Sequence, residues 1–283
     1  MTELILSIAL SGLLFIIFKW MDGLKVWLLA AITANYLACI AIGSAAGQLN
    51  FSGYTTQTIV LCLCFGLLFF SVFYCMGYSS SHIGVGITGA ATKLSLIIPI
   101  LVATLILHEP FSISKLLAII LALTSIFLMS NRDQGTQSLK LIFIPLFIFL
   151  GSGTIDTLLG IMKQHLIKEN LSQATSIVLI FTGALLPASA LTLRQISKQK
   201  NILRDLGLGC VLGTVNYFSV HFMLLALGNG KFSMNEFFLI NNSGVVALTF
   251  AAGLLLFGEK ANLRKLIGLA LCLLSIFLIL YGN

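Results

Sequence analysis

The stretch VWLLAAITANYLACIAIGSAAGQLNFSGYTTQTIVLCLCFGLLFFSVFYCMGYSSSHIGVGITGAAT, residues 26–92, contains no Asp, Glu, Lys or Arg. At about 20 residues per crossing, this one run is long enough for about three helices in a bilayer. Outward from it the same pattern continues. Apolar runs separated by charged or turn-forming residues predict helices near 3–19, 25–46, 57–77, 82–107, 111–130, 140–163, 172–193, 204–227, 233–257 and 262–281. Short connections make sequential helices antiparallel and leave no room for a separate soluble domain.

Composition agrees. Hydrophobic residues make up 58% of the chain and charged residues only 9%, against roughly 25% charge in a soluble domain; the mean hydropathy is +1.06. The formal net charge of +7 would suggest nucleic acid in a soluble protein. Here the basic residues sit mainly at the ends of apolar segments, where they anchor and orient helices, so nucleic acid is not an expected partner and the lipid bilayer is. Cys39, Cys62, Cys64, Cys75, Cys210 and Cys272 all lie within apolar runs, which argues for small hydrophobes rather than a disulfide framework or a metal knuckle. The opening MTELILSIALSGLLF lacks a basic n-region, so the first segment is expected to remain as a helix.

The polar interval Asn131-Arg132-Asp133-Gln134-Gly135-Thr136-Gln137-Ser138 separates five predicted helices from five more, giving halves of 1–131 and 139–283. A shift of 150 residues pairs EPFSISKLLAIILALTSIFL (109–128) with EKANLRKLIGLALCLLSIFL (259–278). Leucine matches carry little weight in this composition. The informative identities are Glu109 with Glu259, Lys115 with Lys265, and Ser-Ile-Phe at 125–127 with 275–277. Because each half holds an odd number of helices, the halves enter the membrane from opposite sides. The expected fold is therefore all-α integral membrane, with ten transmembrane helices as two inverted five-helix repeats.

Two five-helix halves with the short connections HEPFSISK (108–115) and GEKANLRK (258–265) resemble the drug/metabolite transporter superfamily, in its ten-helix EamA-type branch. That resemblance covers nearly the whole chain. It implies a central cavity lined by the first, third and fourth helices of each half, with the fifth and tenth packed outside. It also implies export of a small metabolite, an amino acid being the favoured class, across a bacterial inner membrane. The family commonly has a proline within the fourth helix of each half; Pro99 stands near that place and the ninth segment has none.

Polar residues inside the apolar runs are the candidate substrate-binding or coupling groups. Lys93 lies near the middle of the fourth segment, where a lone lysine costs about 2.5–3.5 kcal/mol on insertion scales and lies too far from either end to snorkel. Gly86, Gly89 and Ala90 share its side of the helix. Asp156 is its acidic counterpart in the sixth segment, with Ser152, Gly160 and Lys163 along one stripe. Asn216, Tyr217 and His221 in the eighth segment and the pair Asn241-Asn242 in the ninth complete the set. Lys93 and Asp156 are expected to lie near one another across the two halves. The alternative is a separate partner for each, Asn242 for Lys93 and Ser152 or His221 for Asp156.

No HExxH, GxSxG or GxxxxGK[ST] occurs, so neither a catalytic constellation, a metal nor a cofactor is expected. The best-supported function is a secondary transporter of a small polar metabolite by alternating access. Its rivals are a broad multidrug exporter, a membrane enzyme acting on lipid or quinone, and a scaffold or receptor with a closed interior. Orientation divides two arguments. Counting Lys and Arg in alternate connections puts the 194–204 loop in the cytoplasm and both termini outside, whereas the family resemblance implies cytoplasmic termini.

Overall fold

The computed structural model describes residues 1–46, 49–82, 85–109, 112–129, 143–195, 201–258 and 262–281. These form α-helices and no strand: α1 (Thr2–Gly23), α2 (Leu28–Ala46), α3 (Thr56–His82), α4 (Val85–Leu94), α5 (Ile97–Leu105), α6 (Ile113–Met129), α7 (Phe143–Lys168), α8 (Gln173–Gln195), α9 (Ile202–Gly228), α10 (Met234–Phe257) and α11 (Leu263–Tyr281). The interval at 131–138, Glu259, and residues 196–200 of the basic loop lie outside the described residues, as do the side chains of Gly86, Gly89 and Ala90.

Among the described residues seven helices, α1, α2, α3, α7, α8, α9 and α10, are long and apolar enough to cross a membrane; 91–105 and 113–126 are shorter apolar helical stretches. The outer surface agrees with a lipid solvent. Leu203 and Leu255 are 83% and 84% exposed, and apolar cover of this kind over a whole exterior is not sustained in water. The chain is thus consistent with a multi-pass membrane protein.

The fourth segment differs from the single helix expected over 82–107. It is two helices, broken at Ser95-Leu96. Pro99 explains the break, because it has no N–H to offer the carbonyl four residues back, that of Ser95. That carbonyl instead accepts the N–H of Ile98 at 2.9 Å, and the Ser95 hydroxyl turns back to the carbonyl of Thr92 at 2.6 Å. Gly153 of α7 sits against the break; a Cβ there would lie 2.8 Å from the Ser95 carbonyl oxygen.

Two crossings bring backbones together. Gly66 of α3 and Gly183 of α8 lie directly against the partner helix's carbonyls at Ile180 and Leu63, and Gly209 and Gly213 of α9 lie against those of Ala31 and Asn35 in α2. Around these, α1 packs on α9 and α10, α7 on α3, α4 and α5, and α6 pairs with α11.

Helix ends gather at two faces. On one, Met1, Glu3 and Leu4 meet Asn229, Lys231 and Phe232. On this Met1 face Tyr54 donates to the carbonyl of Ser172 at 2.6 Å, and burial raises its phenol above the ordinary range, so it keeps its proton. On the opposite face the N–H of Trp27, just before α2, donates to Asp205 Oδ2 at 3.0 Å, while Arg204 holds Oδ1 at 2.8 Å.

Candidate functional site

The break in the fourth segment leaves Lys93 one residue from the end of α4, pointing into the bundle rather than continuing a straight wall. Its ammonium donates to Asn242 Oδ1 of α10 at 3.1 Å and stands 5.0 Å from the centre of the Phe15 ring on α1. The Asp156 carboxylate on α7 lies within electrostatic range of Lys93 and of the same Asn242 amide. The Asn242 Nδ2 also donates to the carbonyl of Phe238 at 3.2 Å, which fixes the amide's orientation. Asn242, from the second half, thus holds Lys93 in the neighbourhood of Asp156. Lys93 and Asp156 are each only partly buried.

Lys93 has Asn242 as its hydrogen-bond partner, and Asp156 lies within electrostatic range of both. Ser152 supplies nothing to Asp156; its buried hydroxyl has no hydrogen-bond partner among the described residues.

Asn241 turns to a different neighbour, accepting from Ser7 of α1 at 3.0 Å. Four residues on, Ser11 meets Ser219 of α9 at 2.8 Å. Ser7, Ser11 and Phe15 fall at i, i+4 and i+8, so one stripe of α1 forms the wall facing α9 and α10. The sequence reading passed over these serines because they sit in an apolar run as small residues; their four-residue spacing, ending on an aromatic, was the available signal.

Asn216, Tyr217 and His221 lie apart from the charged pair. Asn216 is buried and donates to Asn35 Oδ1 of α2 at 3.2 Å. Tyr217 stacks on His221 with ring centroids 5.9 Å apart. Gln173 of α8 donates to the His221 carbonyl at 3.1 Å and reaches Nδ1 at 3.3 Å, while Lys163 donates to Gln173 Oε1 at 2.8 Å. Lys163 also lies over Gly228, the last residue of α9, where helix-end carbonyls favour a cation. Through Lys163, Gln173 and His221 this second cluster joins α7, α8 and α9 toward the Met1 face. Gln173 and Lys163 were not among the candidates because their meeting with His221 depends on the tertiary arrangement.

The wall and the charges together describe a polar cluster inside the bundle with one cation, one anion and an amide. Similar proteins agree on the fold and are silent on its use. An uncharacterized protein of Haemophilus influenzae is 28% identical over 291 residues, covering 99% of this chain and 98% of that one. A crystal structure of a protein 11% identical superposes with a TM-score of 0.70 over 98% of this chain and 99% of its own. No protein-family model matches the chain. The structural match extends from end to end, so the same helical arrangement has been seen by experiment.

Proposed function

We propose that the protein is a secondary transporter of a small polar metabolite, an exporter of an amino acid or related compound working by alternating access. In this reading it crosses the inner membrane of a bacterium ten times, as two inverted five-helix repeats, 1–131 and 139–283, of the drug/metabolite transporter type. The observation that carries it is Lys93 of the first half donating to Asn242 of α10, with Asp156 of the second half within electrostatic range of both. Unpaired charges inside a membrane are costly and usually face a substrate or ion path.

Helix pairing supports the repeat. Exchanging the halves turns the contact of α2 with α9 into that of α8 with α3, the contact of α1 with α10 into that of α7 with α4 and α5, and leaves α6 on α11. A zwitterion fits the cluster's charges. Its carboxylate would take Lys93 from Asn242 and its amine would take Asp156, and weakening these contacts across the halves would bias them toward the other opening.

The test is an untargeted comparison of metabolites inside and outside cells that carry the protein, lack it, or carry Lys93→Ala. One zwitterionic metabolite should accumulate inside when the protein is absent or altered; equal profiles in all three sink the proposal. Orientation is settled separately by a cysteine at position 197, which the charge count makes unreactive to an impermeant reagent outside intact cells.

A further inference from the structure

The start of α10 is held both by its own capping box and from the other half of the molecule. Its first free N–H groups, those of Met234 and Asn235, donate to Oε1 and Oε2 of Glu109 at 2.8 and 3.0 Å, across 125 residues of sequence. The third, Glu236, donates to the Ser233 hydroxyl at 3.3 Å, and the Glu236 carboxylate returns to the Ser233 N–H at 3.0 Å, a capping box. No N–H at this helix start is left for water.

Three further contacts tie the same turn down. The other oxygen of Glu236 meets Lys115 Nζ, in the first turn of α6, at 2.8 Å, with the two side chains only 8% and 15% exposed. Asn235 Nδ2 donates to Thr104 Oγ1 of α5 at 3.1 Å. Met234 lies on Gly160 of α7, where a Cβ would come within 2.6 Å of its methyl carbon. His108, at a φ of 53°, reverses the chain after α5 and brings Glu109 to α10.

Gly160 lies one turn of α7 from Asp156, and Met234 lies eight residues before Asn242 on α10. The clamped turn therefore stands between the charged cluster and the Met1 face. The contacts of Glu109, Thr104 and Lys115 join α10 to α5, α6 and the turn between them in the other half, while Met234 on Gly160 packs the same turn against α7. We infer that Glu109, with Lys115 and Glu236, is a latch that closes the Met1-face end of the path, and that this structure is the conformation with that end shut. The geometry fits a switch, because a carboxylate bound to two backbone N–H groups is either fully engaged or lost as a unit once the helix start moves.

The inference rests on the transport reading, but its test needs no substrate. In full-length protein whose native cysteines are replaced by alanine, a cysteine at Ser7 reports access from the Met1 face. Ser7 is fully buried against Asn241. A cysteine at the exposed Lys231 first shows which side of the membrane an impermeant thiosulfonate must be added from. With Glu109 intact, labelling at position 7 should be slow. Glu109→Gln turns one acceptor into a donor facing an N–H, and should raise the rate at least about tenfold, equivalent to ~1.4 kcal/mol less closing free energy.

Lys115→Met combined with Glu236→Gln opens the latch by a separate route and should do the same, whereas Lys231→Gln on the same face should not. An unchanged rate in either latch variant that retains its monodisperse elution overturns the inference. So does an equal rise in Lys231→Gln. A faster rate with no metabolite carried would leave the latch standing and remove the transport reading.

Discussion

Two opposite-charge pairs join α10 to the first half or to α7, and they are built differently. Lys115 and Glu236 touch directly at 2.8 Å, nearly buried, with the carboxylate also serving a helix cap. Lys93 donates to Asn242 and stands over the Phe15 ring, Asp156 is within electrostatic range, and both charges are partly accessible. Direct, desolvated contact suits a pair that holds, since removing one partner strands the other. An amide beside two charges suits a pair that gives way, because a ligand can replace it without leaving a charge bare.

The largest effect expected from that contrast is on transport. Lys93→Ala and Asp156→Ala should each reduce efflux of the carried metabolite at least about tenfold, while the double variant should be no worse than the more damaged single one, as for residues in one network. Strictly additive losses would mean that the two charges act at separate places.

Next is Asn242→Leu, which removes the amide that holds Lys93 but keeps both charges. Efflux should fall several-fold, chiefly as a higher apparent KM, because without it Lys93 and Asp156 attract each other directly and must be separated by substrate. An unaltered KM would mean the amide is incidental.

Gly153→Ala tests whether the broken helix positions Lys93. A methyl group there would press on Ser95 and Ile98 at the break, and overpacking of this kind costs roughly 1–3 kcal/mol. Efflux should drop by a smaller factor than in Lys93→Ala, with a lower melting temperature in detergent.

The smallest effect is expected on thermal stability, and there the order of the pairs reverses. Glu236→Gln should lower the melting temperature by a few degrees by removing the buried charge pair with Lys115 and weakening the capping box, whereas Asp156→Asn should leave it unchanged or raise it. The opposite order would show that the Lys93 and Asp156 pair is the structural one.

Much of this contrast was visible along the chain, and part of it was not. The charge-free run at 26–92 and the spacing of later apolar segments already imply helices in lipid, because hydrophobic length is a local property. Lys93, Asp156 and Asn242 stand out for the same reason: each is expensive where it lies. Pro99 gave a readable cause for the break at Ser95, although the segment was read as continuous because its hydrophobicity never lapses. Glu109 is different. Its identity with Glu259 marked it as a repeat residue, yet its role depends on Met234 and Asn235, far away in sequence, and backbone N–H groups have no letter of their own. Ser7 and Ser11 were hidden because small hydroxyls satisfy themselves cheaply within a helix and announce no partner.

The glycine crossings of α3 with α8 and of α2 with α9 carry a mechanical consequence. Where side chains interdigitate, a contact can slip by rotamer changes; where a helix rests on another's carbonyl oxygens, as at Gly66, Gly183, Gly209 and Gly213, there is nothing to rearrange. Those four helices also touch one another through α2 and α8, so they form a stiff chassis. In the proposed transport cycle, rocking would fall to the remaining helices, turning as levers against this frame. A single methyl group at one crossing would deform the frame without coming near the charged pair.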